Sequence, residues 1–444
     1  MCEQLFRHND ELAVAGMRTT GQSLGMSRTG SGTNAIDRGI EALAMAYQVL
    51  DRVPTTAQWS RDFGKSSVEL EKRFHVVPVG IAVVIACASF PSWNSYPALF
   101  ASLATGNPVI VKPHPSSVLQ MALAVRICRD VARAAGFDPD IVQLAVDSST
   151  MPIATRLVTD PAVRIVDFTG SAAFGSWIEA NATQAQVYTE TSGTNSVVIH
   201  SIDELAPVLR ALAGTFCLFS GQMCTTPQNV FVPRSGVPTR DGIVGIEEFS
   251  ADLARAIEGI STVPARAASI MGTVQSRRTI DELDALTAEV RLRGEVVLSP
   301  ASYLHPEFEK ARTSGPLVGL VDVADHDLYG RERFGPVVFV IACDDADQAL
   351  EQATRDARDV GAISAFVYST NEEYLDRAER DYSRAGAALT INLTGSMPLN
   401  FSAAFSDYHV TGLNPAGTAT LTDESFISGR FRISQSRRAA AFPA

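Results

Sequence analysis

The chain has 444 residues, 46% of them hydrophobic, and a formal net charge of −12 at pH 7. That length supplies two or three domains with sizeable cores, and the acidic balance excludes a general nucleic-acid or anionic-membrane binder, which needs clustered Lys and Arg. Six irregularly spaced cysteines form no CxxC pair and seven histidines show no metal-ligand spacing, so neither a disulfide framework nor a metal centre is expected. The opening "MCEQLFRHNDELAVAG" lacks the apolar stretch of a signal peptide, and no run reaches the ~18 apolar residues of a membrane span. The expectation is a cytoplasmic enzyme.

In chain order, residues 1–50 read as helices rich in Ala, Leu and Glu, interrupted by a Gly/Ser/Thr segment at 20–34. "RFHVVPVGIAVVIACASF" (73–90) reads as a buried strand run, and "NPVIVKPHP" (107–115) as a short strand ending in a proline-rich turn. "LQMALAVRICRDVARAAG" (119–136) has helical periodicity and a terminal Gly, and "VRIVDFTGSAAFGSWIEAN" (163–181) reads as strand, glycine turn, helix. "NSVVIH" (195–200) is a further strand. This alternation predicts a parallel α/β sheet. It resumes with helices at 247–260 and 345–359 and strands at 335–343 and 363–369, a second α/β domain. The basic, alternating "GRFRISQSRR" (429–438) fits an edge strand added in an oligomer.

Between the two halves lies "FSGQMCTTPQNVFV" (219–232), in which a helical run ends and a strand begins around Cys224. A buried cysteine is ordinarily an inert packing residue, which suits Cys87, Cys128, Cys217 and Cys343 inside their apolar runs. Cys224 instead has Gly, Gln and Thr neighbours, so a substrate can approach its thiol and backbone N–H groups can face a developing oxyanion. Asn94 follows Trp93 after an apolar run; an amide there is either an ordinary turn residue or an uncharged oxyanion donor. Lys112 stands at the carboxyl end of a strand, where α/β sheets bind ligands. In "VDFTGSAAFG", Gly170 and Gly175 flank the mouth of a helix, a weak phosphate-site signal without GxGxxG. Glu190 precedes Gly193 in "YTETSGTNSVVI", and Glu332 and Phe334 precede a Gly-Pro turn in "RERFGPVVFV"; each alone is an ordinary loop residue.

Taken in order, WN, the strand-end Lys, FTGS, a Glu before a Gly turn, GQ-x-C and E-x-F-G-P resemble the aldehyde dehydrogenase superfamily, from about residue 70 to the C-terminus. "FPSWNSYPALFASLATGNPVIVKPHP", "ETSGTNSVVI" and "FSDYHVTGLNPAG" are similar to the phenylacetic acid degradation protein family PaaN. The resemblance implies an α/β fold with a Rossmann-type cofactor domain (1–192), an α/β catalytic domain (193–408) and a C-terminal cofactor-domain or oligomerisation segment (409–444), with 65–80 as an oligomerisation strand region. It implies Cys224 as nucleophile, Glu190 as general base and Asn94 as oxyanion holder. It places Trp93, Lys112, Gly170, Ser171, Gly175, Glu332 and Phe334 at NADP or NAD. The implied reaction oxidises an aldehyde to an acid, the substrate being a small aldehyde such as a CoA-thioester semialdehyde of phenylacetate or aromatic-acid catabolism, in a homo-oligomer.

The sequence departs from the family pattern in three places. E-L-G-G is here Glu190-Thr191-Ser192-Gly193, and the acid three residues after the cofactor Lys is Pro115. With Lys112 left free for a 2′-phosphate and His114 nearby, NADP is expected to serve at least as well as NAD. The chain also opens inside what resembles a later helix of the family, so it is expected to be N-terminally truncated. Two alternatives follow: a CoA-acylating dehydrogenase, which would not need Glu190 for water, and an inactive truncated structural or binding subunit.

Overall fold

The computed structural model describes residues 1–191, 193–395, 398–400 and 424–440. The strands in the first half are β1 (Thr56–Phe63), β2 (Ser66–Pro78), β3 (Ile81–Ile85), β4 (Val109–Lys112), β5 (Val142–Leu144), β6 (Val163–Gly170) and β7 (Gln186–Thr191). The second half holds β8 (Ser196–Ile199), β9 (Asn229–Pro233), β10 (Val237–Thr239), β11 (Gly242–Val244), β12 (Glu295–Leu298), β13 (Leu317–Asp322), β14 (Val337–Cys343), β15 (Ser364–Tyr368) and β16 (Ala388–Ile391), and β17 is Phe431–Ala439. Among the described residues no helix is long and apolar enough to cross a membrane.

β3 to β7 form an all-parallel five-stranded sheet in the order β5-β4-β3-β6-β7. Their apolar runs are buried because helices cover both faces, as parallel strands require. One face packs on the N-terminal helices and on helix Pro91–Ala104; the other packs on helix Ala172–Asn181. The Gly/Ser/Thr segment at 20–34 is not a plain interruption. It holds a short helix, Leu24–Arg28, and a π turn, Thr29–Thr33, that leads into helix Asn34–Asp51.

The second sheet has seven strands in the order β12-β13-β14-β9-β8-β15-β16, all parallel except the β12–β13 pair. Apolar clusters lie on both of its faces. Its strands fall within 196–391, and those of the first sheet within 81–191.

The run at 73–90 is not one buried strand. Gly80 at φ 141° breaks it, and only β3 is buried. Residues up to Pro78 belong to the long, largely exposed β2, which pairs antiparallel with β1 and with β17. The basic alternating segment therefore pairs within its own chain, in register from Phe431 opposite Pro78 to Ala439 opposite Leu70. Arg430, just before β17, is wholly buried. Its guanidinium donates to both carboxylate oxygens of Asp167 on β6, at 2.5 and 2.9 Å, and to Ser102 Oγ at 2.7 Å. It also lies 4.0 Å from the centre of the Phe426 ring. A buried, bidentate and stacked Arg is the arrangement that Lys cannot reproduce.

Candidate active site

The thiol turn is built from backbone strain and clamps. Helix Leu205–Cys217 ends, and Phe219, Ser220 and Gly221 follow with φ of 50°, 51° and 66°. Left-handed backbone at two non-glycine residues costs roughly 1–2 kcal/mol each, so the surroundings must hold it. Ser220 Oγ donates to the Met271 carbonyl, and Gln222 Nε2 to the carbonyls of Phe219 and Thr273. Gly221 is required because a Cβ there would lie 2.3 Å from the Gly335 carbonyl oxygen. Asn195 Nδ2 then donates to the Cys224 and Thr226 carbonyls at 2.6 and 3.1 Å, while its Oδ1 accepts from the N–H groups of Ile363 and Ser364. Asn195 thus ties the nucleophile turn to β15. Sequence reading passed over it, although an Asn between a glycine turn and a strand was a usable signal.

Asn94 sits in the first turn of helix Pro91–Ala104, which Pro91 starts by supplying a preset φ where no N–H is needed. Asn94 Nδ2 donates to Glu190 Oε1 at 2.8 Å. Asn94 Oδ1 accepts from the Cys87 thiol at 3.3 Å, and Cys87 Sγ in turn accepts from the Phe90 N–H at 3.4 Å. The amide is therefore held by its oxygen, with its NH2 group turned to Glu190. Glu190, on β7, is 2% exposed. Gln275 ties the segment before helix Pro91–Ala104 to the thiol turn: its Nε2 donates to the carbonyls of Thr19 and Ala88, and its N–H to Gln222 Oε1. Phe90 and Phe219 meet edge to face at 5.5 Å, joining the two turns.

Asn94, Glu190 and Cys224 line one cavity of about 400 Å³ with Lys112, His114, Gly170, Ser171, Glu332 and Phe334. The cavity opens at the carboxyl ends of β3, β4 and β6, where the strand order switches and open α/β sheets take ligands. Ser171 caps helix Ala172–Asn181, accepting from the Phe174 N–H. A wider cleft of about 990 Å³ lies among residues 17–25, 265–273 and 305–311 and holds none of the predicted site residues.

Cys224 is half-buried and lines the cavity. Its thiol is pushed well above the ordinary range by burial first, then by Glu190, Cys87 and Glu332. Burial likewise pushes the Cys87 thiol up to about 11. His114 is shifted down, by burial and then by Lys112, so its neutral form is favoured.

Two predicted cofactor residues are not among those lining the cavity. Trp93 is buried with its ring 4.5 Å from the Arg38 guanidinium. Gly175 lies inside its helix, and a Cβ there would meet Thr191 Cγ2 at 2.6 Å; its smallness seats the helix on β7. Lys112 is not a free cation either. Its Nζ lies 2.7 Å from Asp147 Oδ1, an acid the sequence reading did not single out. Ser192 and "FSDYHVTGLNPAG" fall outside the described residues, as does the boundary at 408.

Residues 1–404 match the model of the aldehyde dehydrogenase family. The structure of an NAD-dependent aldehyde dehydrogenase from Burkholderia multivorans is 43% identical, with a TM-score of 0.93, covering 99% of this chain and 79% of that one. A 1-pyrroline-5-carboxylate dehydrogenase from Bacillus cytotoxicus is 24% identical over 338 residues, 73% of this chain and 61% of that protein. FUS7 of Gibberella fujikuroi, provisionally named an aldehyde dehydrogenase, is 26% identical over 329 residues, 72% of this chain and 65% of that protein. The chain thus spans less than two thirds of the length of these curated relatives.

Proposed function

The chain belongs to the aldehyde dehydrogenase family, and from that premise we propose that it oxidises an aldehyde to a carboxylic acid with NAD or NADP, through a thioester on Cys224. The observation that carries this reading is the convergence of a thiol, an amide and a carboxylate on one cavity at the carboxyl edge of a parallel sheet.

The cavity suits a dinucleotide on this chain's own features. The capped N-terminus of a ten-residue helix faces it beside Gly170 and Ser171, a place suited to pyrophosphate. Lys112, held by the buried Asp147, lines the cavity together with Glu332, Phe334 and Cys224. When bound, the nicotinamide supplies the acceptor for the hydride that the thiohemiacetal carbon loses as it becomes a thioester. The residues do the rest. As its thiolate, the form that the last step regenerates, Cys224 Sγ bonds to the aldehyde carbon, and the carbonyl electron pair moves onto oxygen. We assign that oxyanion to the Asn94 NH2 group and the Cys224 N–H, the amide lining the same cavity as the thiol. Glu190 takes a proton from water, whose oxygen attacks the thioester; the acid leaves and the thiolate returns.

Glu190 favours release to water over release to CoA, since transfer to CoA needs no base for water. We infer a semialdehyde of phenylacetate or aromatic-acid breakdown as the substrate class, supported by the likeness of 90–115 and 190–199 to PaaN. We place the cofactor-binding and catalytic parts on either side of 192, in keeping with the two sheets. The exposed sheet of β1, β2 and β17, with Trp59, Phe63, Val68, Val76 and Ile433 on its surface, supports assembly with further copies. The test is a panel of aldehydes, CoA-thioester semialdehydes included, with NAD or NADP and no CoA. Acid formed with reduced dinucleotide is the expected outcome; product only when CoA is added would overturn the hydrolytic reading.

A further inference from the structure

Cys87 reads in the sequence as an inert packing thiol, yet it is half-buried and lines the same cavity as Asn94, Glu190 and Cys224. It stands two residues beyond β3, on a clamped segment. The Ala86 N–H donates to the Lys112 carbonyl at 3.0 Å, Ser117 Oγ to the Cys87 carbonyl at 3.4 Å, and Gln275 Nε2 to the Ala88 carbonyl at 2.9 Å. From that platform the Cys87 sulfur accepts from the Phe90 N–H at 3.4 Å and donates to Asn94 Oδ1 at 3.3 Å.

The two ends of an amide have nearly the same shape, so hydrogen-bond partners decide which end points where. Glu190 decides it while ionised, because a carboxylate only accepts and so takes the NH2 end. In the proposed reaction Glu190 then gains a proton from water. A protonated carboxyl donates as well as accepts, and it can bond the oxygen end of Asn94 as readily as the nitrogen end. Glu190 thus stops distinguishing the two ends at the step where thioester hydrolysis forms a second oxyanion. Cys87 undergoes no such change. Burial pushes its thiol up to about 11, so it keeps its proton through the neutral range. Its sulfur already accepts from Phe90, which leaves the S–H to hold the oxygen end of the amide.

We propose that Cys87 is a positioning residue that keeps the Asn94 NH2 group turned to the oxyanion while Glu190 carries the proton from water. This rests on the reading of Asn94 as oxyanion donor and Glu190 as base. An S–H is a weak donor, so the effect is a bias on one amide, and it has a direction. Thioester hydrolysis depends on Cys87 more than thioester formation does, because Glu190 is still ionised during the earlier step.

The experiment compares wild type, Cys87→Ala, Cys87→Ser, Asn94→Ala and the Cys87→Ala/Asn94→Ala pair, using NAD and the panel aldehyde that wild type turns over fastest. Rapid mixing reads thioester formation as the burst of reduced dinucleotide, and intact-mass spectrometry reads the decay of the acyl-enzyme. Circular dichroism checks the fold of each variant. Cys87→Ala should slow acyl-enzyme decay by roughly five- to ten-fold, the scale of one neutral hydrogen bond, and slow the burst less. Cys87→Ser supplies an O–H donor and should recover most of the lost rate. In the Asn94→Ala background, Cys87→Ala should change neither step further. Wild-type decay in Cys87→Ala, equal slowing of both steps, a Ser variant as slow as Ala, or an undiminished effect beside Asn94→Ala overturns the inference alone. Wild-type burst and decay in Asn94→Ala, or no turnover of any panel aldehyde by wild type, overturns the reading of the site and this inference with it.

Discussion

Asn94 and Glu190 are hydrogen-bonded to each other, Nδ2 to Oε1 at 2.8 Å, although they act at different stages of the proposed reaction. The amide is needed while the oxyanion exists, and the carboxylate when water attacks. One N–H of Asn94 stays on Glu190 and leaves the second for substrate. The bond therefore orients both groups without disabling either.

Asn94→Ala should slow thioester formation by roughly 10²–10³-fold, the usual effect of losing one oxyanion donor. Rapid mixing of enzyme, aldehyde and dinucleotide reads this as a slower burst, with dinucleotide affinity unchanged. A burst at the wild-type rate excludes the oxyanion role.

Glu190→Gln should keep the burst and slow turnover by roughly 10²–10⁴-fold, because the base is missing only when the thioester is hydrolysed. The acyl-enzyme should accumulate and be visible by intact-mass spectrometry. Loss of the burst with deacylation intact would contradict this assignment.

The raised Cys224 thiol predicts a pH profile with a definite sign. Its reactive thiolate is scarce at neutral pH and increases as pH rises toward the shifted pKa, about ten-fold per unit. Alkylation by iodoacetamide should therefore accelerate into the alkaline range. Because the Glu190 carboxylate raises the thiol, Glu190→Gln should move the profile to lower pH. Cys224→Ala should abolish both alkylation at this site and turnover, whereas Cys217→Ala, on the buried helix, should retain turnover. A Glu190→Gln profile shifted upward would refute the electrostatic account.

Arg430→Met should destabilise the fold by about 3–5 kcal/mol, because it leaves Asp167 buried without its partner. Thermal melting followed by circular dichroism should show a lower midpoint. Adding Asp167→Leu should recover part of the loss, since no unpaired charge then remains. An unshifted midpoint in the single variant would show that the pair is not holding β17 in place.

The strand-turn-helix at 163–181 was legible because its strand is apolar and its glycine turn precedes a helical period. Cys224 stood out because Gly221, Gln222 and two threonines interrupt two apolar runs there, and it lines the cavity with Asn94 and Glu190 although Gln222, Met223 and Thr225 beside it are buried. Other features were not local. The exposed β2 reads as buried because apolar residues continue into β3, and only Gly80 marks the break. The role of Gly175 depends on Thr191, which approaches from another strand. Asp147 looks like any loop acid until β4 brings Lys112 beside it. Arg430 and Asp167 are 263 residues apart, and no periodicity links them.

That separation also sets a schedule for the growing chain. At ~5–20 residues per second, the ribosome needs roughly 13–50 s to make Arg430 after Asp167. During that interval the parallel sheet can assemble around a carboxylate whose guanidinium does not yet exist, and β2 presents an unpaired edge. The nascent protein must therefore wait with one strand slot open, and a chaperone or a neighbouring nascent copy can reach that edge before β17 does.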